Sequence, residues 1–445
     1  MKKSQARMMN KKSMEPGVIL LAVYLSAILF GTLLLKLPVS ENAPLSWVDA
    51  LFTATSAFTV TGLAVVDTGT EFTLFGELVI LLLIQMGGLG IMSFSVIIFM
   101  LLGKRIGMKQ RMIVQQALGQ LHYGGVIKLV RNLLLFSIAI ELIVAAFLAI
   151  DWVPQYGWGN GIYYSIFHSV SAFNNAGFGL WPDNMMGHAD SWIITIGITS
   201  LIILGGIGFT VLIDLYENRS FRKWSLHTKI MVTATIGLNA FAFLMILLLE
   251  RGNMATLGAM PFTDQLQASW FQAVTTRTAG FNTIDMGAIN PQTSFFMMIL
   301  MFIGAGSGST AGGIKLTTFI VMAAAMVTYI QGKKDIHLFR RTIKPEYVMR
   351  VLSITMIAAF VVVTGTFLIN VVEDMEFLPL MFEAVSAFAT VGLSMNLTPM
   401  LGDPSKLILI VLMITGKVGP LTLAYMFARK HEAHYKYPAE DVLTG

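Results

Sequence analysis

Apolar residues in this chain come in long runs separated by short polar segments. A helix that crosses a bilayer needs about 20 mostly apolar residues, because each adds about 1.5 Å against a hydrocarbon core of about 30 Å. Eight runs meet or approach that length: 17–36, 73–102, 127–150, 191–215, 229–250, 292–330, 349–372 and 404–428. After each odd-numbered run comes a semi-apolar stretch, too short to cross and too hydrophobic for an ordinary loop. Such stretches predict re-entrant helices, which survive at membrane depth only if protein covers the backbone or the backbone lines a water-filled path. The first run follows Lys2, Lys3, Arg7, Lys11 and Lys12, as in a signal peptide. It is longer than a signal core and precedes seven more, so it predicts an uncleaved anchor.

Composition removes whole classes of function. The chain is 55% hydrophobic and 12% charged, with a mean hydropathy of +0.72. Soluble domains carry about 25% charged residues. Its 445 residues would suggest about three globular domains, yet no polar stretch is long enough to be one. Cysteine is absent, which excludes disulfides, thiolate metal sites and cysteine nucleophiles. The net charge of +5 is small, and the basic residues cluster between apolar runs. That pattern sets membrane topology and does not bind nucleic acid. With eight spans, 24 of the 30 Lys and Arg fall on one side: the N-terminus, the start of the third span, loops 103–112, 217–229 and 332–350, and the tail. The opposite loops hold only Lys36, Arg251, Arg277 and Lys406, beside acids such as Glu41, Asp49, Asp151, Asp183 and Glu373. The positive-inside rule then predicts both termini in the cytoplasm.

The semi-apolar stretches resemble one another. They run Phe52-Thr-Ala-Thr-Ser-Ala-Phe-Thr-Val-Thr-Gly62-Leu63, Phe167-His-Ser-Val-Ser-Ala-Phe-Asn-Asn-Ala-Gly177-Phe178, Trp270-Phe-Gln-Ala-Val-Thr-Thr-Arg-Thr-Ala-Gly280-Phe281 and Phe382-Glu-Ala-Val-Ser-Ala-Phe-Ala-Thr-Val-Gly392-Leu393. The glycines are 115, 103 and 112 residues apart. A second echo ends 27 to 31 residues after each of them: Gly87-Gly-Leu-Gly90, Gly205-Gly-Ile-Gly208, Ala305-Gly-Ser-Gly308 and Gly416-Lys-Val-Gly419. Two motifs recurring in the same order four times mean one structural unit used repeatedly. Four such loops around one axis would stack backbone carbonyls in rings that replace the hydration shell of a cation. Glycine reaches the required φ and ψ without Cβ strain. Glycines that merely ease helix packing would explain the second echo, but not a glycine at the end of a short, non-spanning helix.

With these motifs the chain resembles the superfamily of K+ transporters comprising the Trk, Ktr and plant HKT proteins. The resemblance covers essentially the whole sequence, and the compact size matches the membrane subunits of bacterial Ktr systems. It implies an all-α membrane protein: four M1–P–M2 repeats with pseudo-fourfold symmetry around one central pore, with eight spanning helices and four re-entrant pore helices. The expected organisation is a cytoplasmic N-terminus (1–16), repeats at 17–102, 127–217, 229–330 and 347–429, and a cytoplasmic tail (430–445). The K+ filter would comprise Thr59, Val60, Thr61 and Gly62; Asn174, Asn175, Ala176 and Gly177; Arg277, Thr278, Ala279 and Gly280; and Ala389, Thr390, Val391 and Gly392. Arg277 breaks the small-residue pattern, and its side chain is expected behind the filter. No loop carries the Thr-Val-Gly-Tyr-Gly of K+ channels, so the stack of ion sites is expected to be shorter. The resemblance further implies K+ as the transported ion, Na+ as an activator, a homodimer in a bacterial cell membrane, and KtrA-type cytosolic subunits that bind ATP or ADP.

The sixth run would make about 58 Å of continuous helix, too long for a bilayer. Midway lies Gly304-Ala-Gly-Ser-Gly-Ser-Thr-Ala-Gly-Gly313, a poor helix former. Gly306-x-Gly308-x-x-Ala311 matches a dinucleotide-binding pattern, but no strand precedes it and a true P-loop's Gly-Lys pair is missing. A helix broken where it lines a cavity is the better reading. The resemblance implies a gating loop there, with Gly304, Gly306, Gly308, Gly312, Gly313, Lys315 and Lys417 as the gate. Glu141, midway along the third span, reads either as a proton relay or as a structural carboxylate. The relay defines the alternative function, a cation–proton secondary transporter. A metal site at His431 and His434 is weak on spacing, and no nucleophile–base pair suggests an enzyme.

Overall fold

The computed structural model of the chain describes residues 16–90 and 126–419, together with 438 and 440. The N-terminal basic stretch, the 103–112 loop, the far ends of the second and eighth runs, and His431 and His434 lie outside the described residues.

Helix α1 (Pro16–Leu35) is followed by α2 (Trp47–Thr59), a single turn at Thr68–Glu71, and α3 (Leu74–Gly88). Helix α4 (Val126–Phe173) leads to α5 (Trp192–Ile207) and α6 (Phe209–Glu217), and α7 (Leu226–Glu250) to α8 (Phe262–Thr275). Then come α9 (Pro291–Phe302), α10 (Leu316–Ile330), α11 (Pro345–Val372), α12 (Phe377–Ala389) and α13 (Asp403–Val418). Among the described residues, three helical segments are long and apolar enough to cross a membrane alone, Arg131–Phe173, Leu226–Glu250 and Pro345–Val372. The pair α5 and α6 makes a fourth, bent by 95°. Large apolar side chains lie exposed on the outer faces, among them Phe30, Leu33, Ile143, Leu248, Phe360 and Phe367. In a soluble protein such a belt would be a liability; against acyl chains it is the expected surface.

Three features depart from the sequence reading. The third run and the second re-entrant helix are not separated by a loop: α4 carries both, with one non-helical residue at Gly157 (φ 81, ψ 168). Glycine accepts that φ, so a kink replaces a connection. The fourth run, expected to be continuous over 191–215, breaks at Gly208 (φ 103). The fold is also not purely helical, since β1 (Ile336–Leu338) and β2 (Arg341–Ile343) form a hairpin in the basic 332–350 loop. Its turn residues Phe339 and Arg340 both have positive φ. That geometry is usually announced by Asn-Gly or Asp-Gly, and this sequence lacks the signal.

Each short helix before a motif glycine packs on the helix that follows a neighbouring short helix, and three of the four also pack on the helix that follows them in the chain. Helix α2 contacts α3 and α13; α3 also contacts α4; α8 contacts α5; and α12 contacts α13 and α9. The core therefore sits around the short helices. The motif aromatics Phe52, Phe58, Phe167, Phe173, Phe382 and Phe388 are among the largest fully buried side chains. The first glycine of the second echo explains the close approach. A Cβ on Gly87, Gly205 or Gly416 would overlap the carbonyl oxygen of Phe58, Phe173 or Phe388 respectively. Gly416→Ala should therefore force α13 away from α12 and cost about 1–3 kcal/mol. The check is the midpoint of heat-induced loss of monodisperse protein in detergent, which should fall; an unchanged midpoint would show that the helices give way freely.

Candidate functional site: a ring of four glycine segments

Three of the short helices end in the same turn. In the first, Val60 N donates to Ala57 O (3.1 Å) and Thr61 N to Ser56 O (2.8 Å). In the second, Asn175 N donates to Ala172 O (3.1 Å) and Ala176 N to Ser171 O (2.8 Å). In the fourth, Thr390 N donates to Ala387 O (3.1 Å) and Val391 N to Ser386 O (2.9 Å). These bonds satisfy carbonyls that a helix end leaves without donors. The motif serine acts twice in two copies: Ser56 Oγ and Ser386 Oγ accept from Gly62 N and Gly392 N, both at 3.1 Å. The third segment differs, with an αR cap at Thr276 and Ala279 N donating to Thr275 O at 3.0 Å.

All four segments share one backbone signature. The residue two before the glycine has positive φ (Val60 51°, Asn175 57°, Thr278 75°, Thr390 50°), and so does the glycine (Gly62 91°, Gly177 71°, Gly280 82°, Gly392 90°). Three of those four preceding residues are β-branched, for which positive φ is a strained conformation. The residue between has ordinary φ in every segment. In an extended strand successive carbonyls point to opposite sides; alternating the sign of φ turns them toward the same side.

The segments close on one another. A Cβ on Gly62 would lie 2.5 Å from Ala176 O, and one on Gly177 would lie 2.7 Å from Ala279 O. On Gly280 it would strike Val391 O, and on Gly392, Thr61 O. Each glycine thus backs onto the carbonyl just before the next, in the cyclic order 62, 177, 280, 392. The residues named from sequence all fall here, and all are buried. Thr59 Oγ1 donates to Thr55 O (2.7 Å) and meets Thr61 Oγ1 at 2.7 Å. The Asn175 amide and Thr278 Oγ1 are 3.2 Å apart, and with its oxygen turned to Thr278 its nitrogen reaches Ala172 O and Ile202 O at 3.3 Å. Arg277 does point away from the ring, its Nη1 donating to Asn239 Oδ1 on α7 at 3.1 Å. On one side, Gly62 and Gly177 open into a cavity of about 230 Å³ with Asp67, Trp181 and Asn184 in its wall.

On the other side lies the break between α9 and α10. Its base is closed by a bridge between Ile303 and Ile314 and by Leu316 N donating to Ala305 O at 2.9 Å. One edge is fastened to the end of α5: Gly306 N donates to Gly206 O (2.8 Å), and Thr310 Oγ1 to Gly205 O (3.3 Å). Those carbonyls are free because α5 stops at Gly208. The opposite edge lies against the fourth segment. Gly313 packs on Ala389, and a Cβ on Gly312 would strike Thr390 Oγ1. Lys417 Nζ, from α13, donates to Thr310 O at 2.5 Å. Lys315 stays within the loop, donating to Ala311 O at 2.6 Å. The predicted gate residues are therefore brought together, in a loop that runs from the second segment to the fourth.

Glu141 is buried, and among the described residues its carboxylate is met by amides: Gln85 Nε2 at 3.2 Å and Asn174 Nδ2 at 3.4 Å. Gln85 and Asn239 were not picked out from sequence, and Gly208 was named there only within the second echo, not as a break. The signal available for the first two was a lone amide inside an apolar run; for Gly208 it was the last glycine of the second echo.

Comparison with known proteins follows the same lines. The TrkH family, described as cation transport protein, matches residues 3–436. The Ktr system potassium uptake protein B of Bacillus subtilis is 53% identical over 430 residues, covering 97% of this chain and 96% of that protein. Its namesake from Vibrio alginolyticus is 43% identical, covering 98% and 96%. The potassium/sodium uptake protein NtpJ of Enterococcus hirae is 37% identical, covering 98% of each chain. The crystal structure of the potassium transporter TrkH from Vibrio parahaemolyticus superposes with a TM-score of 0.74 at 20% identity, over 94% of this chain and 86% of that one. At that identity the likeness speaks for the fold alone.

Proposed function

The chain belongs to the TrkH family of cation transport proteins, and from that premise we propose that it is the K+-translocating subunit of a potassium uptake system. Four M1–P–M2 repeats surround one pore; the segments ending at Gly62, Gly177, Gly280 and Gly392 form the filter; the loop between α9 and α10, with Lys417, forms the gate. The observation that carries this reading is the closed ring, in which each glycine backs onto the next segment's carbonyl. Paired positive φ values around each carbonyl suit it to replace water around a cation. The protein sits in the cell membrane with both termini in the cytoplasm, as the distribution of Lys and Arg favours. Na+ as an activator is supported by a 37%-identical relative named for both potassium and sodium. KtrA-type subunits binding ATP or ADP, beneath a homodimer, would meet the basic loops 217–229 and 332–350.

Purified protein in liposomes should take up rubidium tracer, and K+ should suppress that uptake at concentrations where Na+ does not. Equal suppression by the two ions would contradict a K+ filter. Imposing a pH gradient in the same vesicles tests the alternative: a cation–proton carrier working through Glu141 would follow the gradient, and a pore would not.

A further inference from the structure

Asn174, three residues before Gly177, is tied to side chains of both α3 and α4. Its Nδ2 donates to Gln85 Oε1 on α3 at 2.7 Å and lies 3.4 Å from Glu141 Oε1 on α4. Gln85 Nε2 closes the triangle, 3.2 Å from Glu141 Oε1 and 3.4 Å from Oε2. The corner is itself anchored, because the Glu141 carbonyl accepts from Ser169 Oγ at 2.6 Å. Gly88 lies so close that a Cβ there would strike the Asn174 amide oxygen, so the amide is confined on that side.

The corresponding positions of the other segments are held differently. Arg277 is held by Asn239. Thr59 bonds its own helix at Thr55 O. Ala389 has no polar group to hold.

We propose that Glu141 is a specificity-determining positioning residue: through Gln85 and Asn174 it fixes the second segment's carbonyls at the spacing that suits K+. This rests on the filter reading above. The reasoning is one of hydrogen-bond logic. Both amides turn their NH2 groups toward the Glu141 carboxylate, whose oxygens accept. Gln85 Oε1 is then left facing Asn174 Nδ2, and each amide has a single orientation. With a glutamine at 141 the triangle holds three amides, each able to flip, and no orientation is enforced. Asn174 directly precedes Asn175, whose positive φ sets the direction of the carbonyls that follow, so freedom at its side chain passes to the backbone that carries them.

The experiment uses the full chain in liposomes and reads one number, the ratio of Na+ to K+ concentrations that half-suppress rubidium uptake. A ratio is insensitive to how much protein folds. Glu141→Gln and Asn174→Ala should each lower it roughly tenfold, equivalent to about 1.4 kcal/mol, and the double variant should lower it no further. Moving the carboxylate across the triangle, with Gln85→Glu in the Glu141→Gln background, should restore it; a residue needed only for folding would not be rescued in this way. Gly177→Ala serves as the reference. If it lowers the ratio while Glu141→Gln and Asn174→Ala do not, the role of Glu141 is wrong and the filter stands. If none of the three changes the ratio, the filter reading fails and the inference falls with it. Failure of the swap to restore the ratio would overturn the inference as well.

Discussion

Gly62→Ser should lose most of its discrimination between K+ and Na+. Gly62 has φ +91°, outside the region that residues with a Cβ adopt without strain. Holding a serine there costs about 1–3 kcal/mol. The added Cβ would also lie 2.5 Å from Ala176 O and 3.0 Å from the Gly177 Cα, a contact with backbone of the neighbouring segment that no rotamer can relieve. The ring must open by moving Ala176 O, one of the carbonyls assigned to the filter in the function proposed above. A change of about 2 kcal/mol in relative binding of the two ions corresponds to roughly thirtyfold. Competition of K+ and Na+ against rubidium uptake measures it directly. A variant with wild-type competition would mean that the carbonyls at Gly62 do not select the ion.

Lys417→Ala should raise K+ flux and leave selectivity alone. An ammonium beside a cation path repels the passing ion from a distance. The geometry suggests a mechanical role as well, because Lys417 Nζ holds the carbonyl of Thr310, the loop residue whose hydroxyl is bonded to Gly205 O. A hydrogen bond to a charged group contributes about 1.5–3 kcal/mol. Losing it would raise the population of displaced loop by roughly tenfold to a hundredfold. Neither Lys417 nor the loop contributes a ring carbonyl, so the Na+ to K+ competition ratio should hold. Initial rates of rubidium uptake at equal protein decide the matter. A stable variant with unchanged or lower flux places the barrier elsewhere.

Much of this arrangement was legible because packing, repetition and backbone need leave marks in sequence. The Ser-Ala-Phe-x-x-x-Gly motif encodes a capped helix end, and its glycine encodes a contact that admits no Cβ. The glycine-rich interruption of the sixth run was visible as helix-poor sequence. Other features were not. Val60, Thr278 and Thr390 are held at positive φ by the ring against their own propensity, and tertiary constraint of that kind leaves no local trace. The bend at Gly208 was hidden because the run on either side is uniformly apolar, so hydropathy reads straight through it. The link from Glu141 to Asn174 joins residues 33 apart in sequence through a third residue on another helix. Periodicity cannot reveal a contact of that kind.

The third segment differs from its three counterparts in several ways at once. Its short helix ends in an αR cap, and Ala305 stands where glycines bring the other helices against Phe58, Phe173 and Phe388. Its following helix is divided by a loop that reaches across to Thr390, an arrangement not shared by the other segments among the described residues. A ring of four identical subunits could not be built this way, since symmetry would impose the same loop on every quarter. Carrying all four quarters on a single polypeptide removes that restriction. Three segments can keep the geometry of the ring while the remaining one diverges, so that under the function proposed above the labour of selecting an ion and that of stopping it could change independently under mutation.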